Sequence, residues 1–239
     1  MDYLTLVQQA MYKCGLRSEN PSTLAGAIDI TLDFKIWVQD SWRELQEEST
    51  NWWFRSKLDE TLALTTAVDT YAMPTDLETI NYRTVSVYTT AQEDEQLITF
   101  VPYEEWRMRL DTTASQGGRP IYITETPTPE LVIWPPPDQA YTLRYDGVWD
   151  VDEMLLDADT PGFNRTGATT LQERYHWILV YDAARRYAEH HQDAAGIAKA
   201  QSKFLAQHRR LTEKRKPAVG VPIGILTGIS QNSTQRRFI

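Results

Sequence analysis

The sequence predicts an α+β protein. Two N-terminal and two C-terminal helices form an α-helical bundle, an antiparallel β region is inserted between them, and an extended arm closes the chain. Three observations carry this prediction. Between Ile30 and Phe54 apolar residues recur on a 3.6-residue period. From Leu58 to Trp149 the dominant period is two. Beyond Lys216 neither period survives, and Pro217, Pro222 and repeated glycines argue against a helix. The resulting division is 1–57 for the first half of the bundle, 58–150 for the β insertion, 151–170 for an acidic loop, 171–215 for the second half, and 216–239 for the arm.

Asp2 is placed to cap a first helix with Tyr3, Val7, Ala10, Met11 and Cys14 on one face and Gly15 as its stop. Residues 17–23, which include Asn20-Pro21, read as a connection. In the second helix Ile30, Phe34, Trp37, Val38, Trp42 and Leu45 share one side. Asp33, Lys35, Gln39, Asp40, Arg43, Glu44 and Glu47 fall mostly on the other. Trp52, Trp53 and Phe54 follow where the pattern stops near Ser49. Rings of this size bury much apolar area, which assigns them to a core. A stacking platform for bases or sugars needs exposed rings among basic residues, and only Arg55 and Lys57 are near. Cys14 reads as a small buried hydrophobe, not a nucleophile.

In the middle of the chain Leu58, Glu60, Leu62 and Leu64 alternate with Asp59, Thr61, Ala63 and Thr65, Glu60 being the misfit on the apolar side. Residues 65–69 read as a turn and residues 70–73 as a return strand closed by Pro74. Residues 78–89 are rich in β-branched and aromatic residues, as a strand is. Leu97 to Val101 is a further short strand, and Pro102 takes the first position of a short helix with acids in front and arginines behind. Gln116 to Pro120 is a turn, followed by strands at Ile121–Glu125, Leu131–Trp134 and Ala140–Trp149.

The loop from Asp150 to Thr170 is acidic and long for a compact domain, a length associated with function or partial disorder. Helix returns at Leu171. Trp177, Val180, Tyr181, Ala184, Tyr187, Ala188 and His191 form the inner stripe, and Asp182, Arg185, Arg186 and Glu189 face out. Asp193 caps a last helix running to about Lys214, with Ile197, Phe204, Leu205 and Leu211 inward and several alanines that allow close helix approach. In the arm Val219, Val221, Ile223, Ile225, Leu226 and Ile229 are too apolar for a solvated linker. An extended apolar segment with a basic end suits docking on another chain.

The 239 residues suffice for a substantial core, and no apolar run approaches the roughly 20 residues of a membrane span. The first residues lack the basic start and apolar run of a signal peptide, and a lone cysteine excludes an internal disulfide; both fit a reducing cytoplasm. Net charge is −9, unevenly spread. From Lys199 onward nine basic residues face one acid, Glu213, a net +8 that leaves −17 for the rest. Such a body repels nucleic acid, while the tail seeks an anionic or helix C-terminal surface. No repeat or low-complexity run is visible.

Catalytic signatures are thin. There is no phosphate-binding glycine loop and no nucleophile elbow. His190 and His191 with Asp193 lack metal-site spacing, because adjacent helical residues point about 100° apart; one inward and one solvated histidine is the expectation. Glu104 and Glu105 sit where acids stabilise a helix dipole. Two other classes remain on the table: a virion-borne peptidoglycan hydrolase using Glu104 or Glu153, and a DNA-binding terminator using the arm. No cofactor and no metal are expected.

The order of these elements resembles the adaptor, or head-to-tail connector, proteins of tailed bacteriophages. The second helix ending in Trp52-Trp53-Phe54 carries the resemblance, as do residues 61–64 followed by Asp69-Thr70-Tyr71-Ala72-Met73-Pro74-Thr75-Asp76, which resemble that family's first hairpin. Met73 stands where the family pattern has leucine. Gly118-Arg119-Pro120 with Tyr122, Leu131 to Pro135, and the helix from Tyr175 to Tyr187 complete it. The acidic stretch 150–170 is longer than the pattern requires. The resemblance covers residues 1–215 and implies a non-enzymatic virion protein assembled in the host cytoplasm. It implies a ring, usually of twelve copies, under the portal, in contact with the tail nozzle and in some phages with fibres. Genomic DNA passes through such a ring without specific binding, and no membrane is involved. Portal docking would fall to Lys214, Arg215, Lys216, Val219, Val221, Ile223, Ile225, Leu226, Ile229, Arg236, Arg237, Phe238 and Ile239.

Overall fold

Among the described residues (1–17, 20–50, 52–89, 94–109, 117–161 and 171–214 of the computed structural model) the chain is α+β, with five α-helices and nine strands in two sheets. Helix α1 spans Tyr3–Lys13, and Asp2 caps it, its Oδ1 accepting from the Thr5 N–H at 2.8 Å. Gly15 terminates it at φ +88°, a backbone state that favours glycine. Helix α2 is Asp29–Glu47, and Phe34, Val38 and Trp42 are fully buried. Ile30 and Trp37 are partly buried against the same core. The aromatic corner is a core feature: Trp52 and Phe54 are fully buried, their rings stacked 5.7 Å apart, and Trp53 packs alongside.

Helix α4 (Trp177–His190) packs against α1, α2 and α5 (Ala194–Thr212), and this corrects several expectations. Asp182, read as outward, is only 4% exposed, because α4 has neighbours on three sides. His191, read as inward, is exposed together with His190, because the helix ends at His190 and the next residue lies past its covered length. Among the described residues the buried histidine is His176, which joins a short 3-10 turn (Glu173–Tyr175) to α4, so regular helix begins six residues later than the expected Leu171. In α5 Leu211 and Ala200 are buried, but Leu205 is 53% exposed, since α5 rests chiefly on α4.

The strands are β1 (Ser56–Leu64), β2 (Thr70–Ala72), β3 (Leu77–Ile80), β4 (Ser86–Tyr88), β5 (Gln96–Leu97), β6 (Thr99–Phe100), β7 (Tyr122–Glu125), β8 (Glu130–Trp134) and β9 (Tyr141–Trp149), with the short helix α3 (Tyr103–Arg109) after β6. One sheet is ordered β1-β9-β4-β5, with β3 also paired to β9; the other is β2-β8-β7-β6. Strand β9 alternates buried and half-buried residues throughout, as the period of two predicts. Both sheets contribute to one apolar cluster, including Leu64, Val87, Ile123, Ile133 and Leu143.

Four sequence expectations fail in this region. Residues 61–73 are not a hairpin: β1 pairs with β9, whereas β2 joins β8 in the other sheet. A register shift between Lys57 and Glu60, with Asp59 at φ +57°, breaks the expected alternation. It turns Leu58 out, 57% exposed, and buries Lys57. Residues 78–89 form two strands separated by a turn at Asn81–Thr84. Residues 97–101 split between the two sheets, and β6 runs parallel to β7, so the region is not wholly antiparallel. Pro102 sits one residue before α3, its carbonyl accepting from the Trp106 N–H at 2.9 Å.

The acidic stretch is a strap across α1 and α2 as far as Pro161; residues 162–170 lie outside the described residues. Its Asp159 and Asp157 carbonyls accept from Tyr3 and Leu4 N–H at 2.7 and 3.1 Å. The Gln46 side chain bonds both the carbonyl and the N–H of Asp152, at 2.8 and 2.9 Å. Met154 is buried among the helices.

Candidate interaction surfaces

The arm leaves the body at the end of α5. Leu211 anchors the last turn in the core, and Lys214 is exposed. An open cleft of about 690 Å³ beside this root is lined by three basic residues, Arg174, Arg210 and Lys214, with Trp177 and a single acid, Glu213. Arg174 and Arg210 are exposed, so the arm departs from a basic corner of an acidic body. The remaining residues expected to dock, Arg215, Lys216, Val219, Val221, Ile223, Ile225, Leu226, Ile229, Arg236, Arg237, Phe238 and Ile239, lie outside the described residues.

Two buried polar centres hold the body that presents this corner. Arg55, 1% exposed, stands where the end of α2 meets the end of β9. Its Nη1 donates to the Gln46 carbonyl at 2.8 Å and its Nη2 to the Trp149 carbonyl at 2.7 Å. The same Nη2 bonds the Glu78 carboxylate on β3. The planar fork thereby ties the helical core to the sheet in three directions. Beside it the Lys57 ammonium pairs with Asp76 at 2.8 Å and lies 4.3 Å from the centre of the Trp149 ring.

The second centre is Asp182. Its carboxylate accepts from the Ser41 hydroxyl at 2.7 Å, from Arg185 at 2.7 Å and from Arg186 at 2.9 Å. Burial alone would push this carboxyl up, but the hydrogen bonds from Ser41, Arg185 and Arg186 outweigh it and hold it below the usual carboxylate range. Arg186 continues to Glu44 of α2 at 2.6 Å and Arg185 to Glu189 at 2.6 Å, so the charges are relayed to the surface.

The residues considered for catalysis do not converge. Glu104 is exposed on the first turn of α3. Glu153 pairs with Arg43 on the strap. His176 uses its Nε2–H on the Leu171 carbonyl at 2.8 Å, and its Nδ1 meets the Met1 ammonium at 3.0 Å. That pairing fits a neutral ring, and burial pushes its pKa below the ordinary histidine value. Burial pushes the Cys14 thiol up to about 12, the reverse of an activated nucleophile. Among the described residues no group of three or more His, Cys, Asp or Glu could hold a metal ion.

A family model described as SU10 adaptor protein matches residues 1–222. The chain belongs to this family. It is therefore a tailed-phage adaptor, a structural component of the virion. The family match extends from the first helix of the adaptor across both sheets, α4 and α5 and into the arm. No curated protein matches the adaptor closely enough to count as a relative. Among the described residues no helix is long and apolar enough to cross a membrane.

Sequence reading missed both polar centres of the adaptor. Arg55 entered it only as a basic neighbour of the aromatic corner, and Asp182 only as a surface acid. A signal for the second existed: Asp182, Arg185 and Arg186 at i, i+3 and i+4 form a local triad that supports an acid on a covered face. For Arg55 no such pattern exists, since its partners come from residues 46, 78 and 149.

Proposed function

We propose that this adaptor forms a ring, of about twelve copies, between the portal and the tail nozzle or fibres, without enzymatic activity. In this reading the helices act as a bundle that carries the β insertion, and the five stretches divided at residues 57, 150, 170 and 215 are its working units. The ring extends the DNA channel, and the arm, residues 216–239, clamps the portal together with Lys214 and Arg215 at its root. The observation that carries the reading is the match to the adaptor family over residues 1–222. The charge layout supports it: a body of net −17 does not grip DNA in transit, and a basic apolar arm leaves from a basic corner. Assembly takes place in the host cytoplasm and the protein ends in the neck of the particle. Electron microscopy of the protein mixed with its purified portal tests this directly. A ring of extra density beneath the portal is expected; portal particles with no added layer would overturn the reading.

A further inference from the structure

Two surfaces of the adaptor carry opposite charge and lie on different elements of one copy. The first is the strap. Leu155 and Leu156 are 70% and 68% exposed although their neighbour Met154 is buried. Leu155 borders an open acidic cleft with Glu60, Asp76, Asp150, Asp152 and Glu153, where Lys57 is the basic residue. The strap is fixed from behind: Asp159 accepts from the N–H groups of both leucines at 2.7 Å, and Asp157 accepts from the Leu24 N–H at 3.0 Å. Two large apolar side chains are thus held outward on a rigid turn, not left on a loose loop.

The second surface is a cleft of about 480 Å³ between α4, α5 and the C-terminal end of α1. Its floor is small and largely apolar, with Ala184, Ala188, Gly196 and Ala200; it is lined by three basic residues, Lys13, Lys199 and Lys203, and one acid, Asp193. All three lysines are exposed, and among the described residues none of them has a carboxylate partner. The strap lies on α1 and α2, whereas the cleft opens beside α5, which packs chiefly on α4.

Taking the ring reading as given, we propose that Leu155 and Leu156 of one copy seat in the Lys13–Lys199–Lys203 cleft of the next copy. The occupant is a second copy because the chain itself supplies the matching acidic and apolar surface. A nucleic-acid phosphate would satisfy the lysines but leave the small-residue floor and both leucines uncovered. Different patches meet, so the contact is heterologous, the kind that generates a ring when its rotation closes.

Ala195 lines the cleft and is exposed, and Cys14 is the one cysteine of the chain, which together supply the test. Leu156→Cys/Ala195→Cys is made in the full chain carrying Cys14→Ser, assembled on the portal and treated with a short bis-maleimide cross-linker. A ladder of linked copies is expected, and it disappears when either introduced cysteine is left out. Two charge variants form the second arm. Lys199→Glu/Lys203→Glu and Asp150→Lys/Glu153→Lys are each expected to lose assembly alone and to regain it when mixed, because every contact in an alternating ring is then complementary. An amine cross-linker applied to the wild-type assembly separates the two levels. An amine ladder without a thiol ladder overturns this interface and leaves the ring standing; absence of both overturns the ring itself. Charge variants that assemble alone as well as wild type, or that bind DNA-length phosphate polymers less tightly while assembling normally, would assign the lysines to another partner and refute the contact.

Discussion

Replacing Arg55 by alanine takes the donors from the Gln46 and Trp149 carbonyls at the seam between helices and sheet, while the half-exposed Glu78 carboxylate turns to water. Leaving a buried acceptor unpaired costs about 1–3 kcal/mol, and urea unfolding is expected to show a loss of that order. Arg55→Lys should recover little of it, because one ammonium cannot reach three partners in a planar fork. Asp182→Asn leaves two arginines facing a neutral amide and should cost about 3 kcal/mol by the same measurement. His176 gives a pH signature. Its folded pKa lies below its ordinary value of 6.5, so below that pH the unfolded chain binds more protons. Stability should therefore fall as pH drops through about 6.5, and His176→Gln should flatten that slope in a thermal-melt series. Asp182 adds a second decline, present only as pH falls below its ordinary carboxylate range of about 4. These positions were poorly legible in the sequence because their partners are remote or their residue types are rarely buried. The aromatic corner was legible because bulky rings have one usual place.

At the scale of elements, the caps of α1 and the period of α2 held, while the alternation of β1, the outward face of α4 and the strand pairings did not; Asp193 stands at the start of α5 but makes no side-chain capping bond. Asp2 and Gly15 bracket α1 as expected, and the apolar face of α2 is the one the 3.6 period gives. Strand order was not readable: β1 and β2, whose nearest paired residues Leu64 and Thr70 are six positions apart, enter different sheets, β1 beside β9 and β2 beside β8, and both partners lie far along the chain. The β1 bulge likewise leaves no local mark, and its outcome, Leu58 outside and Lys57 inside, depends on Asp76 and Trp149. Leu58→Ser should accordingly change stability by less than about 0.5 kcal/mol, the range of ordinary surface substitutions. Gly147 behaves oppositely. It lies in β9 between β1 and β3, and a Cβ there would meet the Thr79 carbonyl oxygen at 3.0 Å and the Leu77 methyls at 3.2 Å. Gly147→Val is expected to cost about 1–3 kcal/mol through forced strand separation, again by urea unfolding. The strap was legible only as long and acidic. Its fixed course comes from backbone bonds to Tyr3 and Leu4 more than a hundred residues away.

For the whole molecule the decisive property is the division between an acidic, cross-braced body and a basic apolar end. The division was visible in the order of charges along the chain; the rigidity of the body was not, since it rests on Arg55 and Asp182. In the proposed ring, reversing acids of the body that face the lumen to lysine should slow DNA ejection from assembled particles, measured as release time of the genome. The central claim is that the end of the chain serves a neighbour. It is tested most directly by measuring binding of the purified portal to the full protein and to the protein lacking residues 216–239. The account predicts that the full protein binds and that the shortened one, with an unchanged unfolding curve, does not; equal binding by the two would contradict it.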